Sequence, residues 1–454
     1  MVCHSETPWK RRAVIGCLCL AVVGLFIPAT CKRQLTGDEP HYLIMAASLA
    51  WDQDLDLKNN YATNRGLPFD PRDAHFVPDP HVVADEAGHW WPQHEPGFPL
   101  LLAPWLRLAG FAGVLTFLAL VFAAVGVLLG ELGVALGFSA RTLRTLLALF
   151  LTVAPMPYYS LQLFPETTAA LLVMVFALSL VKGSVSSLGA FFLGLLVGFL
   201  PWLRLRFLPA LVAAALAAAV GWRGKPRRVF FFSLGVAGFA ELLYFAVLFR
   251  QPWPPRTAHH GFGGLGETVA GALGLFLDGH VGLLVLSPIF LLTLAFWQKG
   301  FTARPQLGWF LLCCAVGTVL LSGSYRVWTG GWCPQPARHL VYLLPLALIP
   351  VAFGLAQLVG KRLLLARCLW ASSSLFSLAF IVAPGATYTG MAHRWLEEKT
   401  GLPLSRLLPS LAQKELFFGT YPEHLVPLVY FLPLAVAATV FFARGLPVDR
   451  APTR

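Results

Sequence analysis

The sequence predicts an all-α polytopic membrane protein, a single bundle of about twelve transmembrane helices filling residues 1–454, with a long polar loop after the first helix. Three observations predict it. Only 12% of residues are charged, against about 25% in a soluble domain. Mean hydropathy is +0.68. The apolar residues, 57% of the chain, fall in long blocks separated by polar segments. Together these exclude an ordinary soluble enzyme, a disordered chain and a fibrous repeat.

The first block follows Lys10-Arg11-Arg12 and covers 13–31. It has the layout of a signal peptide, but the apolar run is long and Pro28-Ala29-Thr30 is a poor cleavage site, so it reads as an uncleaved span. Eleven further blocks read as spans at 111–135, 145–161, 165–181, 187–202, 207–221, 229–249, 280–297, 306–322, 339–358, 368–384 and 424–443. With the N-terminus cytoplasmic, 18 of the 34 Lys and Arg fall in the shorter loops of that face. By density this satisfies the positive-inside rule, puts both termini in the cytoplasm and suits a multi-pass protein of the inner (plasma) membrane. The net charge of +12 then reports orientation, and no nucleic-acid partner is expected.

The acids lie elsewhere. The first extracytoplasmic loop, 32–110, opens with a polar stretch, 32–96, that holds 11 of the 22 acids. Five of the twelve histidines are there too: His41, His75, His81, His89 and His94. Tyr61, Phe69, Phe76 and Trp90-Trp91 mark it as folded, and a long folded loop is usually functional. Later extracytoplasmic loops are 250–279, 323–338 and 385–423. The eight cysteines show no zinc-type spacing. Only Cys31 and Cys333 lie near the extracytoplasmic face, so any disulfide there would join them. No phosphate-cradling Gly-rich motif appears, which argues against an ATP-driven pump.

The loop begins Thr36-Gly37-Asp38-Glu39-Pro40-His41-Tyr42-Leu43. Pro40 suits the first residue of a helix, with Glu39 as its N-cap and Asp38 just outside. The helix dipole favours both carboxylates as anions. Residues 43–51 are mildly amphipathic and predict a helix lying on the membrane surface. An ionised carboxylate at that boundary can serve as a general base toward a membrane-bound substrate. The competing reading is a simple helix cap.

This first motif, with the span before it and the loop after it, resembles the GT-C superfamily of membrane glycosyltransferases, among them protein O-mannosyltransferases and the aminoarabinose transferase of lipid A. Later segments are similar in order: His94-Glu95-Pro96-Gly97-Phe98-Pro99 before span two, Leu163-Phe164-Pro165-Glu166 between spans three and four, and Gly330-Gly331-Trp332 through Arg338-His339-Leu340. The likeness covers roughly residues 10–360 in layout, and only the first motif is fairly specific. It implies inverting transfer of a sugar from a polyprenyl-phosphate donor to a glycan, lipid or protein acceptor. Asp38 would be the base, with Glu39 as its partner or a metal ligand. Arg338, Arg204, Arg206, Arg326 and His339 are candidates for the donor phosphate, because cations must face the leaving group. His41, His94, Glu95 and Glu166 are candidates for the acceptor or a metal. The family leaves a divalent cation, Mg²⁺ or Mn²⁺, open.

Other signals are weaker. Asp52-Gln53-Asp54-Leu55-Asp56 lacks the Gly and Glu of a calcium loop and reads as a solvated turn. Glu241 lies inside a span and must be paired, protonated or facing a cavity. His259-His260 and Asp278-Gly279-His280 read as ordinary loop residues or as an acceptor path, and the tryptophans at span ends, including Trp202, Trp222, Trp253, Trp297 and Trp332, as an aromatic belt. The rival functional class is a transporter or lipid flippase, whose sign would be internal repeats and helices broken near mid-membrane. A non-catalytic subunit of the same fold is the third.

Overall fold

The computed structural model describes residues 8–32, 35, 37–63, 79–251, 261–330, 335–382, 397–401 and 426–443. Among the described residues the architecture is almost wholly helical, and the strands are two short ones in a single hairpin. Cys333, His259, His260, Trp253 and Trp332 lie outside the described residues, as does most of 385–423.

Helix α1 (Pro8–Lys32) runs antiparallel to α4 (Gly97–Ala135). Arg11 and Arg12, at the start of α1, both pair with Glu131 near the end of α4, at 2.7 and 3.0 Å. The other end of this pair therefore carries the intervening loop. That loop folds into α2 (Glu39–Ala47), a π-turn at Ser48–Asp52, α3 (Lys58–Thr63), and the hairpin β1 (Val82–Ala84) and β2 (Trp90–Pro92).

Helix α2 is not a surface helix. All nine of its residues are buried. Leu43, Ala46 and Ala47 join the main core, while Ile44 and Met45 pack with Leu57 and Tyr61. The mild amphipathicity arose because two different apolar clusters cover two faces. Asp38 is the N-cap and Glu39 the first helical residue, one position from the sequence reading. The Asp52–Asp56 turn is tied to the protein: Asp52 accepts from Asn60 at 2.7 Å, Asp54 from Ser48 at 2.8 Å and Asp56 from Trp90 N at 2.9 Å.

Among the described residues, three helices are long and apolar enough to cross a membrane: α4, α10 (Gly224–Phe249) and α14 (Pro305–Gly323). Helix α4 starts fourteen residues before the expected span at 111. It kinks at Ala109–Gly110, where Gly110 takes φ 59, a left-handed value that a side chain would resist. Between α4 and α10 lie α5 (Ala140–Thr152), α6 (Glu166–Lys182), α7 (Ser187–Gly198), α8 (Leu200–Leu203) and α9 (Leu208–Gly221). The expected span 145–161 stops at Thr152, because the Pro155 and Pro157 that follow cannot continue a helix. Helices α7 and α10 pack through glycine: a Cβ on Gly194 would strike Ser233 and Phe230 O, and one on Gly198 would strike Ala237.

After α10 comes α11 (Leu265–Leu277), an apolar helix inside the segment read as the loop 250–279. The expected span 280–297 is interrupted. Helix α12 (Leu283–Leu286) ends at Ser287, a short turn covers Pro288–Phe290, and α13 (Leu291–Gly300) resumes. Pro288 supplies no N–H, and the Ile289 amide donates to Ser373 Oγ at 3.2 Å instead. The described chain closes with α14, α15 (Leu344–Gln357), α16 (Gly360–Val382) and the helix Val426–Ala443. One large apolar core runs through the bundle. Trp222 belongs to it, 6% exposed and edge-on to Phe230, rather than to a belt.

Candidate active site

At the end of the bundle where α2 sits, five chain segments converge on Asp38. Its Oδ2 accepts from Arg338 Nη2 at 2.6 Å and from Arg204 Nη2 at 3.4 Å. Its Oδ1 lies 3.7 Å from His94 Nε2. Burial opposes the charge, but the guanidiniums of Arg338 and Arg204 outweigh it and hold the carboxyl well below the usual range. Asp38 is an anion.

Each partner is fixed in turn. Arg338 follows Ala337, whose amide donates to Val281 O at 3.0 Å, and it stacks over Phe164 at 4.1 Å. Its Nε donates to Glu166 Oε1 at 2.9 Å. Glu166, fully buried at the start of α6, also pairs with Arg206. Arg204 sits in the extended break after α8, where it donates to Tyr42 OH at 3.2 Å and to His94 Nδ1 and lies 3.6 Å from Glu95 Oε2. Glu95 Oε1 accepts the Leu205 amide at 3.2 Å. Three acids, the half-buried Asp38 and the buried Glu95 and Glu166, thus face three arginines, 204, 206 and 338.

Most of the residues singled out from sequence meet here. His339 is buried beside the cluster; desolvation and the nearby Arg206, Arg338 and Arg204 push it far below the ordinary histidine value, so it is neutral. Glu39 is turned to the next segment, its Oε1 accepting the Leu163 amide at 3.0 Å, and thereby ties α2 to the turn before α6. Arg326 is the exception. It is exposed, and its amide donates to Gly261 O at 3.2 Å, away from the cluster. Asp278 does not open onto a path: it is buried and accepts the His280 and Val281 amides at 2.7 and 2.9 Å.

Two residues not singled out from sequence belong to the site. Tyr42 meets Arg204 as described. His81, on the residue before β1, lies 3.1 Å from His94 Nε2 through its Nδ1 and stacks on His41 at 3.7 Å. Burial, and then the nearby His81, lower the His41 pKa to about 3. Its Nδ1 is hydrogen-bonded to Tyr61 OH at 2.7 Å, and the same hydroxyl accepts the His81 amide at 3.2 Å.

Asp38, His81 and His94 carry ligand atoms within 4.8 Å of one another, the only such trio found among the described residues. Their hydrogen bonds do not fit an ion. Arginine has no acceptor, so His94 Nδ1 must accept from Arg204, and in the neutral ring Nε2 then carries the proton. Burial and then Arg204 keep that ring neutral. Its Nε2–H donates to His81 and has no lone pair to give a metal.

No protein-family model, characterised protein or solved structure matches the chain.

Proposed function

We propose that the chain is an integral-membrane glycosyltransferase of the GT-C kind. It transfers a sugar with inversion from a polyprenyl-phosphate donor to a glycan, lipid or protein acceptor, with Asp38 as general base. The observation that carries the reading is one half-buried carboxylate held directly against cations: Arg338 and Arg204 touch Asp38, and Glu166 joins Arg338 to Arg206. Inverting transfer from a phosphate needs a base on the acceptor side of the anomeric carbon and cations at the leaving group on the other, and the cluster supplies both kinds of group in one site.

A second feature supports the donor class. An apolar groove of about 600 Å³ runs between α9 and α14, from Leu208 and Leu321 to Leu216 and Trp309. It begins two residues after Arg206. A phosphate on the arginines would leave its prenyl tail at the head of that groove. The bundle then spans the plasma membrane about twelve times, with this end extracytoplasmic and both termini cytoplasmic, as the positive-inside count supports.

The chemistry follows in order. The donor phosphate engages Arg204, Arg206 and Arg338 with charge-assisted bonds. Asp38 loses part of its compensation, and its proton affinity rises. It takes the acceptor hydroxyl proton as that oxygen attacks the anomeric carbon. The anomeric C–O bond breaks, and polyprenyl phosphate leaves with the electron pair, stabilised by the arginines.

The test presents purified protein with polyprenyl-phosphate-linked mannose, glucose, galactose, arabinose and N-acetylglucosamine. One donor should turn over, and Asp38→Asn should cut that rate by roughly 10²–10⁴ with protein still inserted. Full activity in that variant would falsify the base assignment. A transporter shares the interrupted helices around Arg204 and Ser287; it would move a lipid between leaflets in the same vesicles without making a glycoside.

A further inference from the structure

Glu241 and Tyr244 are the two polar residues in the second half of α10, and the proposed chemistry leaves both unused. Helix α10 is otherwise apolar along its outer faces: Phe239, Leu242, Leu243 and Val247 are all at least half exposed. Glu241 is 7% exposed on the opposite side. Its Oε1 has no hydrogen-bond partner, and neither does the hydroxyl of Tyr244, one turn further along. The ionisable neighbour of both is Glu95. Glu95 is 8% exposed, and its Oε2 also lacks a hydrogen bond, since Oε1 alone is taken by the Leu205 amide. Trp202 closes the group. Its ring lies 5.6 Å from that of Tyr244, and its Nε1 donates to Ala237 O on α10 at 3.2 Å.

Three buried polar atoms from two parts of the chain therefore lie near one another without hydrogen-bond partners. Leaving a buried polar atom unbonded is costly, and an acid inside an apolar helix is a functional candidate by default. The position narrows the ligand. Glu95 Oε2 is 3.6 Å from Arg204 Nη1, and the same guanidinium is 3.4 Å from Asp38. One side-chain head group separates the recess from the base, which is about the reach of a single sugar ring. Two carboxylate oxygens and a phenol beside an indole are donors, acceptors and a flat apolar face, the complement of a ring bearing vicinal hydroxyls.

We propose that Glu95, Glu241 and Tyr244, with Trp202, form the recess that holds the hydroxyls of the donor sugar and selects among sugars. The inference rests on the transferase reading. Sugar hydroxyls donate to Glu95 Oε2 and Glu241 Oε1 and pair with Tyr244 OH, satisfying all three atoms at once.

The experiment measures binding of full-length protein in nanodiscs to two probes, bare polyprenyl phosphate and the same lipid carrying each of the five sugars. Glu241→Leu removes a buried unpaired acid, so its thermal stability should equal or exceed the wild type's. Its affinity for the preferred sugar donor should fall roughly tenfold, and its ranking of the five sugars should flatten. Affinity for bare polyprenyl phosphate should not move. Tyr244→Phe, which deletes one oxygen, should show a smaller loss in the same direction. Unchanged sugar affinity and ranking in both variants would overturn the recess and leave the transferase reading standing. An equal loss for both probes would make Glu241 structural and overturn the recess as well. Wild-type protein that binds neither probe would remove the transferase reading itself.

Discussion

Glu166→Gln is the perturbation whose outcome the structure fixes most tightly. Glu166 is fully buried and its carboxylate bridges Arg338, at 2.9 Å, and Arg206. At that separation and an effective dielectric of about 20, one pair carries about 6 kcal/mol of Coulomb attraction. Desolvation of the two ions returns much of it, and deletion of one partner of a buried pair costs about 3–5 kcal/mol because the other is left uncompensated. Arg338 and Arg206 are only 4% and 9% exposed, so solvent screening does not soften that figure. Glutamine keeps the shape and removes the charge, so thermal unfolding in detergent should show a loss in that range. The same change leaves excess positive charge where the donor phosphate is proposed to sit. Farnesyl phosphate should therefore bind the variant more tightly than the wild type. At a hundred times its Kd it should restore about 2.7 kcal/mol. A variant as stable as the wild type would refute the electrostatic account of the cluster. A destabilised variant that farnesyl phosphate does not rescue would refute the phosphate assignment alone.

Three further outcomes are expected. His41 is neutral in the fold with its pKa lowered from 6.5 to about 3, so the unfolded chain binds the extra proton between those values. Stability is then complete above pH 6.5 and falls as pH drops toward 3, by up to about 1.4 kcal/mol per pH unit for this one group; His41→Asn should show a shallower acid limb in unfolding scans, and an identical limb would count against the assignment. Because His94 offers its nitrogens to Arg204 and His81, sugar transfer should survive EDTA, whereas loss restored by Mn²⁺ or Zn²⁺ would show that Arg204 yields its place to an ion. Gly194→Leu should separate α7 from α10, since even a Cβ there strikes Ser233 and Phe230 O; expression or melting temperature indistinguishable from wild type would deny that close packing.

The apolar blocks disclosed most helices because hydropathy tracks burial and lipid contact alike. They did not disclose where helices break. Ser287-Pro288 and Pro155-Met156-Pro157 sit within apolar runs, and a hydropathy sum does not register a missing N–H. Helix α2 deceived in another way: a pattern that separates two faces does not say whether water, lipid or protein covers the weaker one. In the site, Asp38 stood out through its place before Pro40, Arg204 through charge beside apolar sequence, and Glu166 and Arg338 through segments that resemble those of a known family. Arg326 offered the same signal and lies elsewhere, because a charge near a span end carries no direction. His81 reaches His94 through the β1–β2 hairpin, whose three-residue strands are too short to announce a register.

The site's members enter the world at different times. Asp38 precedes Arg338 by 300 residues, roughly 15–60 s at ordinary rates of translation. Arg206 trails Glu166 by only 40 residues, so that pair can close while the later helices are still unmade. Asp38 meanwhile has Arg204 and waits for Arg338. A chain released early, or one whose segment 335–340 fails to fold back, keeps a half-neutralised acid beneath its first loop.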